Sequence, residues 1–157
     1  MEDSFTTLDR IDINILRALQ AEGRLTNAEL ASRVNVSPAT CHRRTQRLFD
    51  EGCIKGVRAE IAPAAVGLGA LVMVGVVLDR STPESFAAFE GAVHKLKEVL
   101  DCNLVAGDFD YLLKIRVRDM ADFNKLHGQK LIALPGVRQT RTFFVMKEVK
   151  ESARLPF

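Results

Sequence analysis

Side chains that can recognise nucleic acid are concentrated in one short segment of the chain. His42, Arg43, Arg44, Gln46 and Arg47 fall within six residues. Arginine donates bidentately to guanine and glutamine to adenine, and both also hold phosphate oxygens. On an isolated helix such residues more often form a solvated charged face. The interpretation therefore depends on the elements that position them.

The charge around this segment favours a polyanionic partner, although the charge of the whole chain does not. Residues 37–58 contain five cations and two anions, a local charge of +3. The whole chain carries only +2. A local basic patch of this kind is what a DNA-reading helix requires.

Two helices are predicted before this segment. Ile11, Ile15 and Leu19 recur at four-residue spacing and predict a helix over residues 9–21, which Gly23 ends. A second helix is expected from Thr26, because Thr26 and Glu29 have the spacing of a capping box. It stops near Asn35, a residue type that tolerates left-handed backbone angles.

A third helix is predicted to begin at once with Ser37 as N-cap and Pro38 in the first helical position. Two helices joined by a turn of about three residues, after an earlier packing helix, form a helix-turn-helix unit. On a helical wheel Cys41, Thr45 and Leu48 face inward, so Cys41 is interpreted as a core residue rather than a redox switch. The opposite arc contains Ala39, His42, Arg43, Gln46 and Asp50, flanked by Thr40, Arg44 and Arg47.

This context favours DNA contact over the solvated-face alternative. The residues expected to contact DNA are Ser37, Thr40, His42, Arg43, Arg44, Gln46, Arg47 and Arg58. For Arg58 a surface ion pair with Glu60 is an equal alternative. Residues 54–61 alternate in polarity, which indicates a two-stranded wing or short ribbon.

The second half of the chain predicts a different architecture after an uncharged hinge at residues 62–69. Its patterns indicate a strand at 70–78, a helix at 84–96, strands at 99–106 and 111–118, a helix at 119–134 and a strand at 137–146. The order β-α-β-β-α-β is ferredoxin-like and places helices on one face of the sheet only. A partner subunit is the simplest cover for the other face.

The predicted fold class is therefore α+β, with a winged-helix-like helix-turn-helix domain over residues 1–61 and a ferredoxin-like domain over 70–157. The hydrophobic fraction of 47% and charged fraction of 27% are those of an ordinary soluble protein. The longest apolar run, 68–78, is too short to span a bilayer, and no signal peptide is recognised. Three scattered cysteines argue against a disulfide framework or a metal site and fit the cytoplasm.

The motifs of both halves resemble those of the Lrp/AsnC family of bacterial and archaeal regulators. In the first half these are Asn27-Ala28-Glu29-Leu30-Ala31 and Ser37-Pro38-Ala39-Thr40-Cys41. In the second they are Val105-Ala106-Gly107-Asp108-Phe109-Asp110-Tyr111-Leu112-Leu113-Lys114, Leu134-Pro135-Gly136-Val137, Thr140-Arg141-Thr142 and Val145-Met146-Lys147-Glu148-Val149-Lys150. One departure is Thr40, where close relatives often carry a second proline.

The resemblance implies a C-terminal domain that pairs through its sheet, dimers that assemble further, commonly to octamers, and an amino-acid effector bound between dimers. The effector would be leucine or another amino acid, with no other cofactor. The residues that the resemblance assigns to it are Gly107, Asp108, Asp110, Met120, Thr140 and Thr142. Two carboxylates and a glycine-exposed backbone can bind an ammonium and a carboxylate. Without the resemblance, Gly and Asp here would be read as ordinary hairpin residues.

The sequence thus predicts a cytoplasmic, nucleoid-associated transcription regulator that binds duplex DNA and senses an amino acid. The alternative is an architectural protein that coats DNA with little sequence preference. An enzyme is not expected, because the chain has no nucleophile elbow, P-loop, dinucleotide fingerprint or HExxH motif.

Overall fold

The chain forms two compact units in the computed structural model, which describes residues 7–151 and 154–157. Unit 2 is Ile61–Val149, and the described residues of Met1–Glu60 and Lys150–Phe157 make up unit 1. The sequence-based division assigned residues 150–157 to the C-terminal domain. In the structure the described residues of this segment group with unit 1, where the end of the chain contacts the first helix.

Unit 1 is built on three helices, and their predicted boundaries are confirmed. They are α1 (Arg10–Ala21), α2 (Asn27–Val34) and α3 (Pro38–Asp50). Ile15, Leu30, Cys41 and Leu48 are among the buried residues of their shared core. The inward face expected for α3 is therefore the observed one, with Cys41 and Leu48 fully buried.

Side-chain caps fix where these helices begin and end. Thr26 accepts from the Glu29 amide at 3.2 Å, while Glu29 accepts from the Thr26 amide at 2.8 Å, which completes the predicted capping box. Asn35 ends α2 in the left-handed conformation, with φ of 56°. Ser37 caps α3 through the Thr40 amide. The turn between α2 and α3 is thus only three residues long.

The ribbon predicted at residues 54–61 does not form. Within the described residues this segment has no strand pairing. The segment has no second strand to pair with in the part of the chain that the structure describes, so its alternating polarity does not lead to a ribbon. Gly56 has a φ of 157°, where L side chains are rarely found. The segment instead packs against the turn that follows α1, since a Cβ at Gly23 would meet Val57 at 2.8 Å.

Unit 2 has the predicted β-α-β-β-α-β order. After a 3₁₀ turn at Pro63–Val66, its elements are β1 (Ala70–Leu78), α4 (Pro83–Val93), β2 (Val99–Leu104), β3 (Tyr111–Val117), α5 (Met120–Leu126) and β4 (Val137–Phe144). The strands form one antiparallel sheet in the order β2-β3-β1-β4. This is the ferredoxin-like arrangement, so the predicted fold class is confirmed. The helix predicted over 119–134 is divided, because α5 passes into a π-helical turn at His127–Leu131.

The two faces of the sheet differ in their cover. Alternate residues of β1 and β3 point into a core beneath α4 and α5, which includes Val74, Phe89, Leu113 and Phe123. No described helix packs on the opposite face, the open face, which includes Met73, Lys114 and Phe143. Met73 and Lys114 are half-buried, and Phe143 is 51% exposed. No described helix is long and apolar enough to cross a membrane.

Candidate DNA interface and amino-acid loop

The outward arc of α3 lies at the surface as the helical wheel predicts. Ala39, His42, Arg43, Gln46 and Asp50 are all exposed. Arg43 makes no hydrogen bond or ion pair with the residues that the structure describes, so its guanidinium is available. The Gln46 amide nitrogen donates to Asp50 Oδ1 at 2.9 Å.

Arg44 and Arg47 have a different environment from the rest of the arc. Both turn towards α1 and share the carboxylate of Asp12, which is 1% exposed. Arg44 Nη1 lies 2.9 Å from Asp12 Oδ1, and Arg47 Nη2 lies 2.6 Å from Asp12 Oδ2. These two predicted DNA contacts are therefore engaged inside unit 1. One buried carboxylate joins α3 to α1 at two points.

Asp9 extends this cluster at the N-terminus of α1. It caps the helix through the amides of Ile11 and Asp12 and accepts from Arg44 Nη1 at 2.7 Å. The hydrogen bond from the Asp12 amide, and then that from Arg44, hold the pKa of Asp9 below its ordinary value of 3.8. The pairing with Asp9 and Asp12 also raises the pKa of Arg44. The Nε atoms of Arg44 and Arg47 are buried without a hydrogen-bond partner among the described residues, although Arg47 Nε lies 3.8 Å from Glu51 Oε2.

The remaining predicted DNA contacts lie at the two ends of this surface. Ser37 donates its hydroxyl hydrogen to Thr40 Oγ1 at 3.0 Å at the start of α3, where exposed amides and the helix dipole favour phosphate. Arg58 is exposed on the segment after α3. The alternative ion pair between Arg58 and Glu60 is not among the ion pairs of the described residues.

The loop between β2 and β3 is braced against β1 by Asp110. Its amide donates to Val76 O at 2.9 Å, and its Oδ2 accepts from the Leu78 amide at 2.7 Å. Gly107 has a φ of 151°, and a Cβ there would meet open space. Asp108 is exposed. The loop therefore offers one accessible carboxylate and an accessible backbone, while the second carboxylate also has a structural role.

Phe109, in the same loop, folds over the open face of the sheet. A Cβ at Gly75 would lie 2.6 Å from two ring carbons of Phe109, so the ring fits only because residue 75 is glycine. The ring of Phe143 stands edge-on at 6.3 Å, and the Arg141 guanidinium lies 5.9 Å from the Phe109 ring centre. The loop that holds the carboxylates is thus fixed to the open face.

The other predicted effector residues are not all brought to this loop. Thr140 lies in the same row as Val76 and Tyr111, next to the loop end of the sheet, and contacts His127 Nε2 at 2.9 Å. Thr142 lies two residues further along β4 on the same, helix-facing side. Met120 is 58% exposed and follows the far end of β3. Since β3 spans about 20 Å, one chain cannot place Met120 beside Gly107–Asp110.

A polar cluster also lies at the outer edge of the sheet. Tyr111 donates its hydroxyl hydrogen to Glu90 at 2.6 Å, beside a cavity of about 350 Å³ that Cys102 also lines. Burial raises the pKa of both Tyr111 and Cys102. A raised thiol pKa lowers reactivity, so Cys102 is not an activated nucleophile. The described residues include no cluster of three or more potential metal ligands.

Three residues important to these sites were missed by the sequence reasoning. Asp12 lies within an apolar helical pattern and reads as an ordinary surface position, because its partners are 32 and 35 residues away. In the sequence Phe109 is indistinguishable from an ordinary hairpin residue. His127 is an isolated histidine with no motif around it. Only for Asp12 was a signal present, since Asp9 and Asp12 have capping-box spacing.

An exposed basic helix in a helix-turn-helix unit, together with a ferredoxin-like unit carrying an acidic hairpin loop, defines a class of ligand-responsive DNA-binding regulators. Residues 8–55 match the winged helix-turn-helix DNA-binding domain, and residues 71–155 match the Lrp/AsnC ligand binding domain. The chain belongs to the Lrp/AsnC family of transcription regulators. It has a DNA-binding helix-turn-helix and an amino-acid-binding domain.

Relatives and solved structures agree with this assignment. The leucine-responsive regulatory protein of Escherichia coli is 51% identical over 148 residues, 94% of this chain and 90% of the relative. A transcriptional regulator of Neisseria meningitidis in complex with L-Met has a TM-score of 0.89 at 39% identity, covering 96% of this chain and 97% of that one. An AsnC family regulator of Agrobacterium tumefaciens also has a TM-score of 0.89, at 32% identity, with 95% and 97% covered. These relatives are transcription regulators, in agreement with the prediction that the chain is not an enzyme.

Proposed function

We propose that this regulator reads duplex DNA by placing α3 in the major groove. Arg43, Gln46 and His42 face the base edges, while Ser37, Thr40 and Arg58 face phosphates. The observation that carries this proposal is that the residues of α3 fall into two groups, one exposed and one bound to α1. Its exposed arc is available for DNA, while Arg44 and Arg47 are held by Asp12 and fix the helix on α1. Any contact of these two arginines with DNA would be made from this anchored position.

The effector in this proposal is a free amino acid bound between dimers near Gly107–Asp110. The exposed carboxylate of Asp108 and that of Asp110 favour its ammonium group, and the backbone at Gly107 can donate to its carboxylate. Thr140 and Thr142 lie on β4, which pairs with β1, the strand against which the loop is braced. Met120 could join such a site only from another subunit, because it lies at the far end of β3. The leucine-responsive and L-Met-bound relatives favour leucine or another apolar amino acid.

Oligomerisation completes the proposal. The open face presents Phe143 and half-buried Met73 to solvent, and a second copy would bury them. Dimers formed through this face would assemble further, to octamers, and place two loops at each dimer–dimer contact. We place this assembly in the cytoplasm, in association with the nucleoid.

A gel-shift titration tests DNA reading and sensing together. The protein is titrated on DNA from upstream of its own gene and on random DNA, at several salt concentrations, with each of a panel of amino acids. We expect preference for the upstream DNA, an affinity that falls steeply with salt, and a shift with at least one apolar amino acid. Equal affinity for both DNAs without any amino-acid effect would instead support an architectural protein. Preference without an effect would overturn only the sensing proposal.

Substitution of Arg43 tests the role of α3. Arg43→Ala should weaken binding to the preferred DNA about 10- to 100-fold, since a bidentate base contact is worth about 1–3 kcal/mol. Arg80→Ala removes an equally exposed arginine from unit 2 and is the matched control. If both variants bound like the parent protein, Arg43 would not be a DNA contact.

A further inference from the structure

The last described residues of the chain lie along α1. Gln20 forms two hydrogen bonds with the backbone of Leu155: its Nε2 donates to the carbonyl at 2.9 Å, and its Oε1 accepts from the amide at 2.9 Å. One side-chain amide thus satisfies both polar groups of a single residue. A neighbouring β-strand would make the same pair of contacts.

Two further contacts extend this recognition along the helix. Arg17 Nε donates to the carbonyl of Phe157 at 2.7 Å, and its guanidinium lies 5.9 Å from the ring centre of the same residue. Arg154 donates to the carbonyl of Ala21 at 3.3 Å. Residues 17, 20 and 21 have i, i+3, i+4 spacing, so they share one face of α1.

An apolar groove runs beside this face. A cavity of about 660 Å³ lies between α1 and the irregular segment 53–60, with Leu16, Leu19 and Val57 among its lining residues. Leu155 and Phe157 form part of its wall. Because the side chain of Leu155 remains 70% exposed, the helix recognises mainly the backbone of the tail.

We propose that α1 carries a docking site for an extended peptide segment and that residues 154–157 of the same chain are its occupant. The tail follows unit 2, which ends at Val149, yet it belongs to unit 1. The chain therefore passes between the two units twice, once near Glu60 and once near Lys150. The tail is covalently continuous with the amino-acid-binding unit, and its non-covalent contacts with α1 give the DNA-binding unit a second attachment to that unit.

Hydrogen exchange of the full-length protein, followed by mass spectrometry, tests the docking. In the parent protein the amide of Leu155, which donates to Gln20 Oε1, should be protected. Gln20→Ala should speed its exchange at least tenfold, whereas Gln20→Glu should retain part of the protection, since it keeps an acceptor for this amide. Gln129→Ala, an exposed glutamine of unit 2, is the matched control and should leave tail exchange unchanged. Circular dichroism verifies that each variant is folded.

An unprotected Leu155 amide in the parent protein, or equal exchange of this amide in parent and Gln20→Ala, would overturn the proposal. The identity of the occupant is tested with the double variant Ala21→Cys, Leu155→Cys and a bismaleimide cross-linker, in a Cys53→Ser background that removes the exposed thiol. A cross-linked monomer on a denaturing gel is expected. A cross-linked dimer would assign the tail to a second copy and overturn docking within one chain.

Discussion

Asp12 joins the first and third helices of the DNA-binding unit through a single carboxylate. Each of its oxygens accepts from a different arginine, and Oδ2 also accepts from the Asp9 amide at 3.2 Å. A buried charge of this kind is tolerated only when its partners are in place. Two of the four arginines that sequence reasoning assigned to DNA, Arg44 and Arg47, are therefore also the partners on which the position of α3 depends.

Removal of this carboxylate should destabilise the protein markedly. We expect Asp12→Ala to lower the free energy of unfolding by about 2–3 kcal/mol, less than for a fully buried pair because Arg47 remains partly solvated. Urea unfolding measures this change. Glu22→Gln breaks the exposed pair with Arg33 and should cost less than about 1 kcal/mol. Equal effects of the two substitutions would contradict the anchoring role of Asp12.

Acid should weaken the same cluster through Asp9. The folded-state pKa of Asp9 lies below its ordinary value of 3.8, so the unfolded chain binds a proton more readily. Stability from this group is present above that value and is lost as the pH falls through the lower, folded-state pKa. An NMR titration of the Asp9 carboxyl carbon should give a midpoint below 3.8. A midpoint at or above 3.8 would show that the cap and Arg44 do not favour the charged form.

The turn between α2 and α3 depends on one residue in an unusual backbone conformation. Asn35 has a φ of 56°, which costs most residue types about 1–2 kcal/mol. Asn35→Ala should therefore destabilise the protein by about 1 kcal/mol, whereas Asn35→Gly should be near neutral. Thermal unfolding of the two variants provides the comparison. The prediction is wrong if alanine is tolerated as well as glycine.

Local signals predicted the elements well, and contacts between distant residues limited the rest. Strand β1 and the caps at Thr26 and Ser37 follow from nearby side chains, so their positions could be read directly. The predicted ribbon after α3 failed because alternation alone does not supply a pairing strand. The π-helical turn at His127–Leu131 preserves an apolar face and so reads as continuous helix. The ion pairs of Asp12 and the docking of Leu155 join residues 32 to 135 positions apart, which no local pattern reveals.

At the scale of the whole molecule, the open face of the sheet should control assembly. Phe143→Asp places a charge on this face, on the edge strand β4, and should shift the protein towards smaller species in analytical ultracentrifugation. Ile132→Asp alters a residue of similar exposure beyond the π-helical turn and serves as the control. An unchanged mass distribution for Phe143→Asp would mean that dimers form through another surface.

The fit of Phe109 over Gly75 has a consequence for how sequences of this type can diverge. A side chain at position 75 would overlap the ring, so a larger residue there is compatible only with a smaller residue at position 109. Positions 75 and 109 should thus vary as a pair. Because Phe109 also fixes the loop that carries Asp108 and Asp110, a change at position 75 would move that loop, and with it the proposed amino-acid site, without touching a bound ligand.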